Sequence, residues 1–175
     1  MKRQLDLMAG GAMRLWSGIQ PEDYTAVDIE PTSPAVLKAD LILEPIPSAD
    51  DQYDVVTCYD GMEHIPPLLY TPERRTPIIA LVNEVWRVLK HDGLFYIQSP
   101  CFPSNGSVSD PGHVSFWTED SVNYYSGDYF GMHHHYGHLS RFEKVENIIL
   151  PHGHVAITMR AIKNLPPDHP YLLKY

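Results

Sequence analysis

The chain has 175 residues, 43% of them apolar, with 22 acidic against 13 basic side chains and a net charge of −9. That length fits one domain, residues 1–175, with a proper core, and the acidic balance argues against a nucleic-acid partner held by charge. No apolar run approaches the ~20 residues that cross a bilayer, no secretory leader opens "MKRQLDLMAGG", and Cys58 and Cys101 are too few for a disulfide framework; no membrane partner and a cytoplasmic setting are expected.

Residues 4–9, "QLDLMA", form an apolar run ended by Gly10-Gly11, which predicts a buried strand and a turn. Residues 12–18, "AMRLWSG", predict a short helix closed by Gly18. Residues 24–31 predict a second strand with Asp28 at its C-terminal end, and residues 36–47 a shorter third run stopped by prolines. Residues 53–59 are rich in β-branched and aromatic side chains and predict a strong fourth strand. The best helical pattern spans residues 72–90, where Ile79, Leu81, Val82, Val85, Trp86, Val88 and Leu89 recur mostly at three- and four-residue spacings. Thr71-Pro72-Glu73 reads as its start and Lys90-His91-Asp92-Gly93 as its stop. Residues 93–100 predict a fifth strand, 101–113 a turn-rich loop, and 118–127 a helix capped by Thr118. Residues 141–150 and 154–164 predict two strands meeting near Pro151-His152-Gly153 in an antiparallel hairpin, and the proline-rich last ten residues a run over the surface.

Strands alternating with helices imply a parallel sheet covered on both faces. Such sheets bind ligands beyond the carboxyl ends of their strands, where strand order reverses. The residues to weigh are therefore Ala9, Gly10, Gly11, Asp28, Asp40, Tyr59, Asp60 and Gly61.

In this order the sequence resembles the class I S-adenosylmethionine-dependent methyltransferases. The blocks that carry the likeness are "LDLMAGG", "YTAVDIEP", "ADLILEPIPSADDQYDVVTCYDGMEHIPP", "ALVNEVWRVLKHDGLFYIQSP" and "DPGHVSFWTEDS". The resemblance implies an α/β, Rossmann-like, doubly wound and mostly parallel sheet. It also implies S-adenosylmethionine as cofactor, and methyl transfer to a small-molecule or glycan-like acceptor. One departure stands out: Met8 occupies the place of the first glycine in the family's turn. The chain also begins close to its first strand, and a homodimer closing the site is one expectation drawn from that.

The resemblance assigns roles residue by residue. Ala9, Gly10 and Gly11 pass beside the amino-acid part of the cofactor, where glycine permits close backbone approach. Asp28, followed by Ile29, accepts from the ribose hydroxyls, a task suited to a charged acceptor. Asp40 receives the adenine amino group and Leu41 packs on the ring, while Tyr59, Asp60 and Gly61 face the methyl-bearing sulfur. Each residue also has a plainer reading as a turn or solvated residue. Alternation along the strand points Met8 into the core, and Glu63 and His64 read as cap or packing residues. His113 is the candidate base or acceptor contact, because imidazole titrates near neutral pH; its plainer role is a loop histidine bonded to backbone.

His133, His134, His135, His138, His152 and His154 raise the question of a metal. Three consecutive histidines on an extended segment cannot all face one ion. A lid rich in histidine and tyrosine, with Tyr124, Tyr125, Tyr129, Phe130 and Tyr136, fits the stretch better, so no metal is expected. Two alternatives stay beside the enzyme reading: a non-catalytic partner subunit of the same fold, and a histidine-rich metal-binding protein.

Overall fold

The computed structural model describes residues 1–70, 76–126 and 136–164. Seven strands form one sheet in the order β3-β2-β1-β4-β5-β7-β6. They are β1 (Gln4–Leu7), β2 (Tyr24–Asp28), β3 (Val36–Lys38), β4 (Tyr53–Tyr59), β5 (Leu89–Pro100), β6 (Phe142–Ile149) and β7 (His154–Ala161). The first five run parallel, and β7 lies antiparallel to both β5 and β6. The predicted terminal hairpin is thus present. Strand order reverses at β1, which pairs with β2 on one side and β4 on the other.

Alternation along the strands sends Leu5, Leu7, Val56, Cys58, Phe95 and Ile97 to one face, where all six are buried. Helix α1 (Pro77–Val88) covers that face with Ile78, Leu81, Val82, Val85 and Val88. Truncating such a residue to alanine typically costs about 2–5 kcal/mol. The apolar stripe therefore supplies most of the reason this segment is helical and stays docked.

The other face differs from expectation. Gln4, Asp6 and Thr57 are fully buried on it and bonded to one another in a chain. The Gln4 amide donates to Thr57 Oγ1 at 2.9 Å, Thr57 donates to Asp6 Oδ1 at 2.7 Å, and Tyr24 donates to Asp6 Oδ2 at 2.8 Å. Burial raises the Asp6 carboxyl above its ordinary value, against the pull of those two hydroxyls. The helix predicted over residues 12–18 is absent. The Gln4 amide donates to the Arg14 carbonyl at 2.8 Å and accepts from the Trp16 N–H at 2.8 Å, so these backbone groups are satisfied by the sheet rather than by a helix. Trp16 lies against Tyr96 (5.1 Å between ring centroids), and Tyr96 against Tyr59 (5.2 Å). An irregular segment, not a helix, thus shields this part of the sheet.

Three other boundaries shift. Helix α1 begins at Pro77 after Thr76, the same proline-in-first-turn logic applied five residues later than predicted; residues 71–75 lie outside the described residues. The predicted stop at residues 90–93 is an outward bulge within β5: Leu89 pairs with Tyr53 and Leu94 with Val55, while Asp92 takes the left-handed conformation. Lys90 pins the bulge through Asp54 at 2.7 Å. The predicted helix at residues 118–127 is a 3₁₀ turn, Glu119–Tyr124, closed at its start by Thr118 N–H donating to Ser121 Oγ at 2.9 Å. Strands β2 and β3 are also shorter than the apolar runs that predicted them. Among the described residues, no helix is long and apolar enough to cross a membrane.

Candidate functional site

The tips of β1, β2, β3 and β4 converge where strand order reverses. There a small, mostly apolar crevice of about 120 Å³ is lined by Met8, Ile29, Ala39, Asp40, Leu41, Ile42, His64 and Ile65.

The turn after β1 is held by Asp28. Its Oδ2 accepts the Gly10 N–H and its Oδ1 the Glu30 N–H, each at 2.9 Å. A carboxylate oxygen has a second lone pair, so both remain able to accept a further hydroxyl. Thr32 donates to the Gly10 carbonyl at 3.2 Å, and a Cβ on Gly11 would meet Thr32 Oγ1 at 3.0 Å. Ala9 completes the turn, its N–H on Val27 O at 3.4 Å. Ala39 N–H on Asp28 O (3.1 Å) ties the tip of β3 to that of β2, and Asp40 Oδ1 accepts the Ile42 N–H at 3.0 Å.

Met8 corrects the sequence reading. Its φ of 52° lies in the left-handed region, the conformation a glycine would adopt without strain. That turn breaks the alternation, so the Met8 side chain lies over the crevice rather than wholly in the core. It rests against Gly61, where a Cβ would come within 2.9 Å of Met8 Sδ and 2.8 Å of Cys58 Sγ. Gly61 is thus needed for lack of space.

At the tip of β4 the predicted residues part company. Asp60, with φ of 51°, donates its N–H to Gln98 O at 2.8 Å and pairs with His154 Nε2 at 3.1 Å. The Tyr59 ring turns to the opposite face, between Tyr96 and the Arg14 guanidinium at 5.1 Å. Burial, then the neighbouring Tyr96 and Asp6, raise its hydroxyl to about 12. It does not line the crevice.

The turn Met62–His64 follows, and the segment carrying His113 is fastened to it. Val114 N–H and Ser115 N–H both donate to the Glu63 carbonyl, at 2.9 and 3.0 Å, and Ser115 Oγ donates to Met62 O at 2.9 Å. These bonds bring the His113 ring to 4.8 Å from that of His64, edge to face. Glu63 is buried beneath them. Its Oε2 accepts from Ser99 Oγ at 3.0 Å, and burial raises its carboxyl above the ordinary value. The sequence reading left out Met8, Ile42, His64 and Ile65 as crevice residues and Glu63 as a site residue. The spacing of "MEHIPP" directly after a strand tip was the available signal.

Of the histidine-rich stretch, His133, His134 and His135, with Tyr129 and Phe130, lie outside the described residues. His138 is buried against the edge of Tyr125, which stacks on Trp117 at 5.6 Å, so this pair belongs to the core rather than to a lid. The rings of His152 and His154 lie 4.6 Å apart.

No family model matches the sequence, and no curated protein does. Solved structures do. The chain has the class I S-adenosylmethionine-dependent methyltransferase fold, doubly wound and mostly parallel with antiparallel final strands. A methyltransferase from Aquifex aeolicus described as S-adenosylmethionine-dependent matches with a TM-score of 0.58 at 14% identity, over 92% of this chain and 84% of that one. A chain from the complex of the Haloferax volcanii Trm112 methyltransferase activator with a methyltransferase matches at 0.59 and 12%, over 93% and 83%. Phosphoethanolamine N-methyltransferase 1 of Haemonchus contortus, solved with phosphoethanolamine and S-adenosylhomocysteine, matches at 0.60 and 9%, over 94% of this chain and 40% of that one.

Proposed function

We propose that the chain binds S-adenosylmethionine in this crevice and transfers its methyl group to a small-molecule or glycan-like acceptor. The observation that carries the reading is Asp28 at the rim of an apolar crevice at the switch point. It offers two charged acceptor oxygens beside a slot walled by Ile29, Leu41 and Ile42. The ribose hydroxyls donate to Asp28, the adenine ring lies among Ile29, Leu41 and Ile42, and Asp40 receives its amino group. Gly10 and Gly11 pass beside the amino-acid part, and the sulfur lies by the tip of β4. His113, alongside His64, is the group that meets the acceptor, as base or as contact.

Methyl transfer is a direct displacement. The acceptor atom forms a bond to the methyl carbon as the carbon–sulfur bond breaks, and the positive sulfonium becomes a neutral thioether. Alignment supplies most of what the protein contributes. Calorimetry with S-adenosylhomocysteine tests the reading: binding is expected, with Asp28→Ala weakening it by about 30-fold or more, as loss of a charged acceptor implies. No heat of binding at millimolar ligand, in a chain shown to be folded, would overturn it.

A further inference from the structure

Glu63, His64 and His113 each present one metal-ligating atom, and these three atoms lie within 4.8 Å of one another. Glu63 and His64 are each held by one polar atom, His113 Nε2 lies near a carboxylate, and a second ligating atom of each is left uncommitted. Glu63 Oε2 takes the Ser99 hydroxyl, while Oε1 is buried with no hydrogen-bond partner. His64 Nδ1 lies 3.1 Å from the Gly112 carbonyl, so Nδ1 carries the proton and Nε2 keeps the lone pair. His113 Nε2 lies 3.7 Å from Asp110 Oδ2, while Nδ1 is buried with no partner. A buried carboxylate oxygen and a buried imidazole nitrogen left bare cost free energy unless something binds them. Histidine ligands in metal sites are oriented in this way, with a carbonyl or carboxylate on the ring nitrogen that does not ligate.

We propose that these three residues bind one divalent first-row transition ion at the acceptor end of the crevice. Two imidazoles and one carboxylate suit zinc, manganese, cobalt or ferrous iron, and three protein ligands leave positions open. His64 belongs to both the triad and the crevice wall, so the open positions face the space where the acceptor meets the methyl group. The ion selects acceptors that present a hydroxyl oxygen. Ligation lowers the hydroxyl pKa, its proton leaves to solvent, and the oxygen takes the methyl carbon while the sulfonium departs as the thioether. In this state His113 is a ligand and no longer the base. This role for the ion rests on the methyl-transfer reading; the ion's binding does not.

The test uses untagged full-length chain stripped with chelator and titrated with Co²⁺, then with Zn²⁺ in competition. One equivalent of cobalt giving the visible bands of a four- or five-coordinate site is expected. Glu63→Gln and His113→Asn each weaken uptake more than about tenfold, the least that removal of a ligand should cost. The triple variant His133→Asn, His134→Asn, His135→Asn leaves that uptake unchanged. Circular dichroism identifies any variant that fails to fold; for that case the wild-type cobalt spectrum, shifted by an added hydroxyl acceptor, carries the decision. No stoichiometric uptake by wild type overturns the proposal, as does uptake lost in the triple variant but kept in Glu63→Gln and His113→Asn. Binding of S-adenosylhomocysteine without metal uptake refutes the metal site alone. Metal uptake without binding of S-adenosylhomocysteine refutes methyl transfer alone.

Discussion

Replacing Gly61 by alanine, alone and with Met8→Gly, tests the packing that shapes the crevice. The φ of Gly61 is −132°, outside the left-handed region, so the cost of a side chain there is mainly steric. The new Cβ would lie 2.8 Å from Cys58 Sγ, 2.9 Å from Met8 Sδ and 3.1 Å from Met8 Cβ. Overpacking of this kind costs about 1–3 kcal/mol, and the stiffer unfolded chain returns roughly 0.4–1, leaving a net loss near 1–2 kcal/mol. For a chain of this size that is a fall in Tm of about 2–8 °C. Met8→Gly removes two of the three close contacts. It also releases a left-handed conformation costing about 1–2 kcal/mol, a gain offset by lost apolar burial and a freer unfolded chain. In that background Gly61→Ala is expected to cost about 1 kcal/mol less, a coupling within the usual range for touching residues. Urea denaturation of the four proteins, with m-values compared, measures it. Equal costs of Gly61→Ala in the two backgrounds would show that Met8 does not rest on Gly61, and the account of the crevice wall would fail.

Three further outcomes are expected. Asp28→Asn keeps an acceptor but loses the charge, and is expected to weaken S-adenosylhomocysteine binding by roughly tenfold, less than Asp28→Ala, by calorimetry. Gln4→Leu strips partners from the Arg14 carbonyl, the Trp16 N–H and Thr57, and is expected to cost about 2–4 kcal/mol in urea, with tryptophan emission shifting to the red as Trp16 loosens. The third concerns pH. The Asp6 carboxyl is raised above its ordinary 3.8 by burial, so above that pH the folded chain holds a proton the unfolded chain has released, and stability falls as pH rises through the folded pKa. Thermal melts of Asp6→Asn from pH 3.5 to 7 should lose that component of the slope; an unchanged slope would show that Asp6 is not its source.

The strands were legible because apolar runs bounded by Gly, Pro and Asp mark buried parallel strands regardless of detail. The positions of Asp28, Asp40 and Leu41 were legible for the same reason: a residue that ends a strand or closely follows it lies at its tip. What escaped the sequence depends on contacts far along the chain. The helix expected at residues 12–18 lost to the buried Gln4 amide ten to twelve residues earlier. Met8 escaped because alternation assumes an extended backbone, and its φ of 52° ends the strand there. Tyr59 sits at the right tip but faces the wrong way, since strand parity sets which side it joins. Glu63 read as packing because nothing local shows that Ser99 and His113 close around it from 36 and 50 residues away.

One carbonyl oxygen, that of Glu63, carries both N–H groups of the segment following His113. Swinging that segment outward would break two bonds at once, so the segment carrying His113 and the turn Met62–His64 shift as one body. If the proposed methyl transfer holds, whatever fits itself against His113 would also set the distance over which the methyl group travels.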